Sequence, residues 1–194
     1  MLSKNAGYML LIFILGTVVI LSNAIYTSNG FLSPDSTQYL SLAQNLLEGH
    51  GFTVSNQSLN GEEREYFAIW PLGYPLLIFI TAKLFGLSVF ISSKIVNIFF
   101  LALSLWMITK IFKKDSAIFA SVLLFGAYLQ LFSYSFSEIP FIFGLLWFCF
   151  SISHYLAHSH RKTALLQLLI AGLFLFMMRY IGAFSFVVIA MLAL

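Results

Sequence analysis

Three charged side chains stand where an otherwise apolar chain carries few. Asp35 follows the first apolar run, Glu138 lies between the third and the fourth, and Arg179 ends the fifth. A carboxylate beside lipid is costly unless it is paired, hydrated or functional. The simplest reading of Asp35 and Glu138 is a charge at a helix start that complements the helix dipole. Arg179 follows sixteen mostly apolar residues from Thr163, about 24 Å at helical rise. It is therefore expected in the outer half of the membrane, on the same side as Asp35 and Glu138, where it functions or snorkels to the interface. Lys83 and Lys94 flank the outer end of the second span and read as snorkelling lysines. Asn97 and Gln130 read as buried polar groups that bond helix to helix. His154 and His158 are one helical turn apart, a metal-capable spacing, with His160 beyond. They lie at the inner end of the fourth span, away from the acidic residues, and read as interfacial. The chain holds no phosphate-binding glycine loop, dinucleotide fingerprint, zinc cluster or nucleophile elbow.

The element that must position Asp35 is the stretch Ser33–Phe52. Ser33 suits a helix cap, Pro34 the first helical position, and Asp35 the first turn. Tyr39, Leu40, Ala43, Leu46 and Leu47 recur at amphipathic spacing, with polar residues between them. Gly49 and Gly51 supply the stop. A helix this polar cannot span a bilayer and is expected to lie along its surface.

Hydrophobic residues make up 60% of the 194 and charged residues only 9%. A soluble domain carries about 25% charged residues, so the composition is that of an integral membrane protein. The basic residues sit between apolar runs, which excludes a nucleic-acid surface. Cys149 is the only cysteine, so no internal disulfide forms. The expected fold is all-α, a polytopic transmembrane helical bundle with interfacial amphipathic helices in its first outer loop. Spans are expected at about 8–27, 90–109, 116–135, 139–157 and 163–180, with the start of another at 181–194. The outer loop is 28–87. A cleaved signal peptide ending near Ser22-Asn23-Ala24 is the rival reading of the first run. Its length and single basic residue favour an uncleaved anchor. Within the loop, Thr53–Asn60 reads as variable, and its Asn56-Gln57-Ser58 sequon as a chance occurrence. The segment after Trp70 reads as an apolar helix to Phe85-Gly86, at the interface or dipping in.

If the spans alternate, Lys4, Lys110, Lys113, Lys114, Arg161 and Lys162 fall on one side. Asp35, Glu48, Glu62, Glu63, Glu65 and Glu138 fall on the other. Basic residues collect in cytoplasmic loops, so the N-terminus is expected in the cytoplasm and the long loop outside.

The ordered set of outer motifs resembles the N-terminal part of the C superfamily of polytopic membrane glycosyltransferases. Protein O-mannosyltransferases and lipid A aminoarabinose transferases belong there. The matching stretches are Pro34-Asp35-Ser36-Thr37-Gln38-Tyr39, Leu42–Phe52, Trp70-Pro71-Leu72-Gly73-Tyr74-Pro75-Leu76-Leu77, Leu84-Phe85-Gly86, Ser137-Glu138-Ile139-Pro140 and Met178-Arg179-Tyr180-Ile181-Gly182. They cover nearly the whole chain in the family's order.

The resemblance implies an enzyme, and the membrane is expected to be a bacterial plasma membrane. Such enzymes move a sugar from a polyprenyl-phosphate donor to a lipid, glycan or protein acceptor on the outer side. It implies Asp35 as the catalytic carboxylate, with Glu138 as the second acidic residue. A base takes the acceptor's proton, and a cation stabilises the departing phosphate. Arg179 is the first candidate for that cation, with Arg64 and Lys83 behind it.

Two positions depart from the family. Trp70 and Gly73-Tyr74 stand where several relatives carry a basic residue. Ser36 follows Asp35 where a second carboxylate is common, so no cofactor is expected and a bridging divalent metal is not supported. The family has further spans, so the chain is expected to be the N-terminal part of such an enzyme, or a short form. The competing reading is a non-enzymatic membrane protein, such as a transporter component or scaffold.

Overall fold

The computed structural model describes residues 4–58, 61–157 and 162–193. The chain is helical. Helix α1 spans Lys4–Tyr26, α2 Pro34–Leu47, α3 Gly73–Phe85 and α4 Val89–Phe112. Then come α5 Ser116–Ser121, α6 Gly126–Ser133, α7 Glu138–Ala157, α8 Lys162–Met178 and α9 Phe184–Ala193. Among the described residues, three helical stretches are long and apolar enough to cross a membrane: Asn5–Tyr26, Val89–Leu124 and Glu138–Ala157. They answer to the first, second and fourth expected spans. Helix α8 has 17 residues, about 25 Å of helix. That is a little short of the roughly 30 Å hydrocarbon core.

The expected span 116–135 is not one helix. It divides into α5, a 3-10 turn over Val122–Leu124, and α6. Phe125 is extended at the junction (φ −62°, ψ 141°). Gly126, a poor helix former, follows it. The outer loop also carries two strands, which the sequence did not single out. Strand β1, Thr53–Ser58, pairs antiparallel with β2, Gly61–Tyr66, with Thr53 opposite Tyr66. Asn45 Nδ2 donates to the Thr53 carbonyl at 2.7 Å and ties the hairpin to α2.

Helix α2 forms as its residues dictate. Ser33 Oγ accepts from the Ser36 amide at 3.2 Å, which caps the helix. Gly49 and Gly51 adopt positive φ beyond its end. Tyr39, Leu40, Leu42 and Ala43 are buried beneath it.

Hydrogen bonds define two ends. Asn5 of α1 donates to the carbonyls of Lys113 and Lys114, just beyond α4. Asn23, near the other end of α1, donates to Ser133 Oγ at 2.8 Å. Helices α1 and α4 are thus antiparallel. The N-terminus of α4 meets the α6–α7 junction at the end where α2 packs. Asp115 stands among the lysines at the opposite end, so the sidedness of charge is less complete than the sequence reading had it.

The α6–α7 junction is the polar centre of the interior. Asn97 Nδ2 donates to the carbonyls of Phe132 (2.8 Å) and Tyr134 (2.6 Å), and Asn97 Oδ1 accepts from Tyr74 Oη at 2.9 Å. Lys94 Nζ donates to the Ser133 carbonyl at 2.6 Å and to Ser135 Oγ at 3.3 Å. Ser93 Oγ and Ser135 Oγ are 2.7 Å apart. Lys94 is therefore buried and does not snorkel. Its ammonium meets the Ser133 carbonyl, an orphan at the end of α6, where a cation is favoured. Asn97 bonds between helices as expected. Gln130, by contrast, is exposed.

Asn97→Leu strips partners from two buried carbonyls and the Tyr74 hydroxyl, each loss costing about 1–3 kcal/mol. It is expected to lower the thermal midpoint in detergent clearly, whereas Gln130→Leu is expected to leave it nearly unchanged. Equal shifts would contradict this reading of the junction.

Candidate functional site

Glu138 and Arg179 form an ion pair, Oε1 to Nη1, with both side chains about one-third exposed. Each is positioned by a helix boundary. Glu138 opens α7, where the helix dipole favours a carboxylate. Arg179 lies beyond α8 and not inside a continuous span. Its backbone is extended (φ −150°, ψ 138°) and leads into a 3-10 turn over Tyr180–Ala183.

Two glycines make this corner possible. A Cβ on Gly182 would lie 2.4 Å from the Leu175 carbonyl carbon and oxygen. A Cβ on Gly73 would lie 2.4 Å from the Met177 carbonyl oxygen. Both contacts are with backbone, which cannot rotate aside. The Arg-x-x-Gly spacing thus lets the turn fold back on α8, and Gly73 lets the start of α3 press against the same helix end.

The pair opens onto a cavity of about 440 Å³. Trp70, Leu131, Phe141, Ile142, Tyr180 and Ile181 line it with Glu138 and Arg179. The walls are mainly apolar, and the charges lie at the head of α7. A guanidinium has five N–H donors. Those not engaged by Glu138 can address an oxyanion in the cavity.

Sequence reasoning did not single out the residues that connect this pair to α2. Tyr39 Oη and Ser137 Oγ are 3.1 Å apart, and Ser137 Oγ lies 3.5 Å from Glu138 Oε2. Tyr39 also packs edge-on against Tyr74, with ring centroids 5.4 Å apart. Burial pushes the Tyr39 phenol up to about 12, aided by the negative charges of Glu138 and Asp35 and opposed by Ser137 and Arg179. The group is therefore a protonated hydroxyl at neutral pH. The one available signal was its place one turn after Asp35.

The other sequence candidates lie as follows. Asp35 is exposed in the first turn of α2, one turn before Tyr39, and does not line the cavity. Lys83 is exposed near the end of α3, with its ammonium 5.4 Å from the Phe79 ring centre. It stands ten residues past Gly73, about 15 Å along the helix, and does not line the cavity. Arg64 faces Ser55 in the hairpin register, and its side chain lies outside the described residues. His158, His160 and Arg161 also lie outside them. His154 stacks on Phe150. Among the described residues, no group of three or more His, Cys, Asp or Glu could hold a metal ion.

Gly182→Ala is expected to displace the turn that carries Arg179 and to lower stability by about 1–3 kcal/mol, read as a lower thermal midpoint. An unchanged midpoint would refute the close approach. A second expectation concerns alkaline pH. The Tyr39 proton is held more tightly in the folded chain than at the ordinary value near 10. Its contribution is full below pH 10 and is lost as pH rises to about 12. Melting between those limits should therefore fall more steeply in the wild type than in Tyr39→Phe, and parallel curves would remove the effect. No family model, curated protein or solved structure matches the chain.

Proposed function

We propose that the chain is a polytopic membrane glycosyltransferase, or the N-terminal part of one. It moves a sugar from a polyprenyl-phosphate donor to a lipid, glycan or protein acceptor on the outer side of the membrane. The observation that carries this reading is the Glu138–Arg179 pair on a largely apolar cavity, bonded through Ser137 and Tyr39 to the helix that Asp35 begins. A lipid-linked phosphate needs such a surface: apolar walls for the chain and a cation for the charge. The ordered motifs given above add the family resemblance.

In this mechanism the acceptor hydroxyl attacks the anomeric carbon. The new O–C bond forms as the bond from carbon to the phosphate oxygen breaks, and the electron pair leaves with the lipid phosphate. Asp35 takes the hydroxyl proton as general base. Arg179 stabilises the charge that grows on the phosphate. Glu138 holds the guanidinium in place, and Tyr39 stays protonated as a neutral donor beside it. The polytopic arrangement has α2 along the outer surface. Its support is the gathering of Lys110, Lys113 and Lys114 at the far end of α4, since basic residues collect in cytoplasmic loops.

One observation favours the non-enzymatic reading. An ion pair that joins the start of α7 to the end of α8 is also what a structural clamp requires. The two readings differ at Asp35. Ser33, not Asp35, caps α2, so Asp35→Asn keeps the helix start. In the glycosyltransferase reading this variant inserts and binds donor but loses about 10²–10⁴ in transfer rate. In the clamp reading it loses only the dipole contribution, about 0.3–1 kcal/mol of stability. The measurement is transfer of labelled sugar from a polyprenyl-phosphate donor, per inserted molecule, in membranes expressing the gene. A rate within a few-fold of wild type would remove Asp35 from the reaction.

A further inference from the structure

The opposite end of the molecule carries a second cavity that the proposed reaction does not use. It has a volume of about 750 Å³ and lies between the start of α1 and the end of α4. Lys110, Lys113 and Lys114 all line it, and among the described residues no Asp or Glu does. Asp115, next in the chain, is exposed and is not among the lining residues. The lysines are held in a shaped backbone. Lys113 adopts positive φ (47°), an uncommon conformation for a residue other than glycine. Asn5 Nδ2 donates to the Lys113 carbonyl at 3.1 Å and to the Lys114 carbonyl at 2.9 Å. That fixes the turn and occupies two oxygens that would otherwise repel an anion.

The cavity continues into an apolar surface. The Lys110 ammonium lies 5.6 Å from the centre of the Trp106 ring, and Trp106 is 54% exposed. Ile95, Phe99, Trp106 and Lys110 fall within a narrow sector of α4, because the steps of 4, 7 and 4 residues nearly complete whole turns. Ile95 and Phe99 are exposed as well. An exposed apolar strip therefore runs along α4 and ends at three lysines. That is the shape of a two-part amphiphile. A soluble phosphate would use the lysines and leave the strip bare.

From this juxtaposition we infer that the groove between α1 and α4 binds an anionic glycerophospholipid, with its phosphate at Lys110, Lys113 and Lys114 and its acyl chains along Trp106 and Phe99. The phosphate accepts hydrogen bonds from the ammonium groups, and the indole face lies against the upper acyl chain. Basic clusters beside membrane-embedded helices recognise anionic headgroups by this chemistry.

Trp106 is a built-in reporter. The experiment uses the full chain with Trp70→Phe and Trp147→Phe, reconstituted in phosphatidylcholine vesicles that contain either brominated phosphatidylglycerol or brominated phosphatidylcholine. Bromine on the acyl chain quenches a neighbouring indole. The expected result is stronger quenching by the phosphatidylglycerol at equal mole fraction. Each Lys→Gln change at 110, 113 or 114 should lower that preference by roughly fivefold, the ratio for about 1 kcal/mol per basic residue. Lys162→Gln, an exposed lysine outside the cavity, should leave it unchanged. Equal quenching by the two lipids would overturn the assignment. So would equal sensitivity to Lys162→Gln, which would indicate diffuse attraction of charge. Displacement of the quenching lipid by millimolar inorganic phosphate would overturn the lipid as occupant and leave a free-phosphate site.

Discussion

The structure depends on satisfying the backbone where α6 gives way to α7. A helix end inside an apolar protein leaves carbonyls with no partner in the chain, and lipid offers none. Three consecutive carbonyls, of Phe132, Ser133 and Tyr134, accept from only two side chains of α4, Asn97 and Lys94. Burying the Lys94 ammonium is costly by itself. It is tolerated because the Ser133 carbonyl, at the negative end of α6, and Ser135 Oγ accept from it, with the Phe90 ring 5.1 Å away. These contacts let the chain stop one helix and start another within a few residues.

That junction determines where the charges of the candidate site stand. Because α7 begins at Glu138, the carboxylate occupies a first turn and gains from the helix dipole. Because α8 ends at Met178, Arg179 leaves the helix and reaches Glu138 instead of pointing from a continuous span. The close approach at Gly73 holds the start of α3 against the end of α8, and that at Gly182 folds the Arg179 turn back on α8. Tyr39 and Tyr74 join the two regions. One hydroxyl meets Ser137 beside the ion pair and the other meets Asn97 beneath the junction, with the rings packed edge to edge.

Much of the helical plan was legible in the sequence. Length and hydropathy identify α1, α4 and α7, and capping chemistry identifies both ends of α2. The broken third span was not legible, because residues 116–135 read as one apolar run and the break at Phe125 leaves little compositional trace. Lys94 shows the same limit. Hydropathy treats a lysine near a span end as snorkelling, and only tertiary packing brings the carbonyls of another segment to it. At the candidate site, Asp35, Glu138 and Arg179 each stood out as charges out of place. Their roles split once packed: two of them pair, and Asp35 remains exposed one turn from Tyr39. Tyr39 itself reads as one more residue of an apolar face, so its polar contact with Ser137 was hidden.

In the proposed function Arg179 faces Glu138 in order to be presented to a phosphate, and not merely to tie two helices together. Exchanging the two charges, Glu138→Arg with Arg179→Glu, tests it directly. The exchange keeps an ion pair between the same helix ends but moves the guanidinium from the glycine turn to the head of α7. The measurement is binding of a polyprenyl-phosphate sugar to the purified chain, with thermal melting of the same sample. If Arg179 is presented to a phosphate, the exchange melts closer to wild type than either single variant and still fails to bind donor. Donor binding equal to wild type in the exchanged protein would contradict it and leave the pair as a clamp.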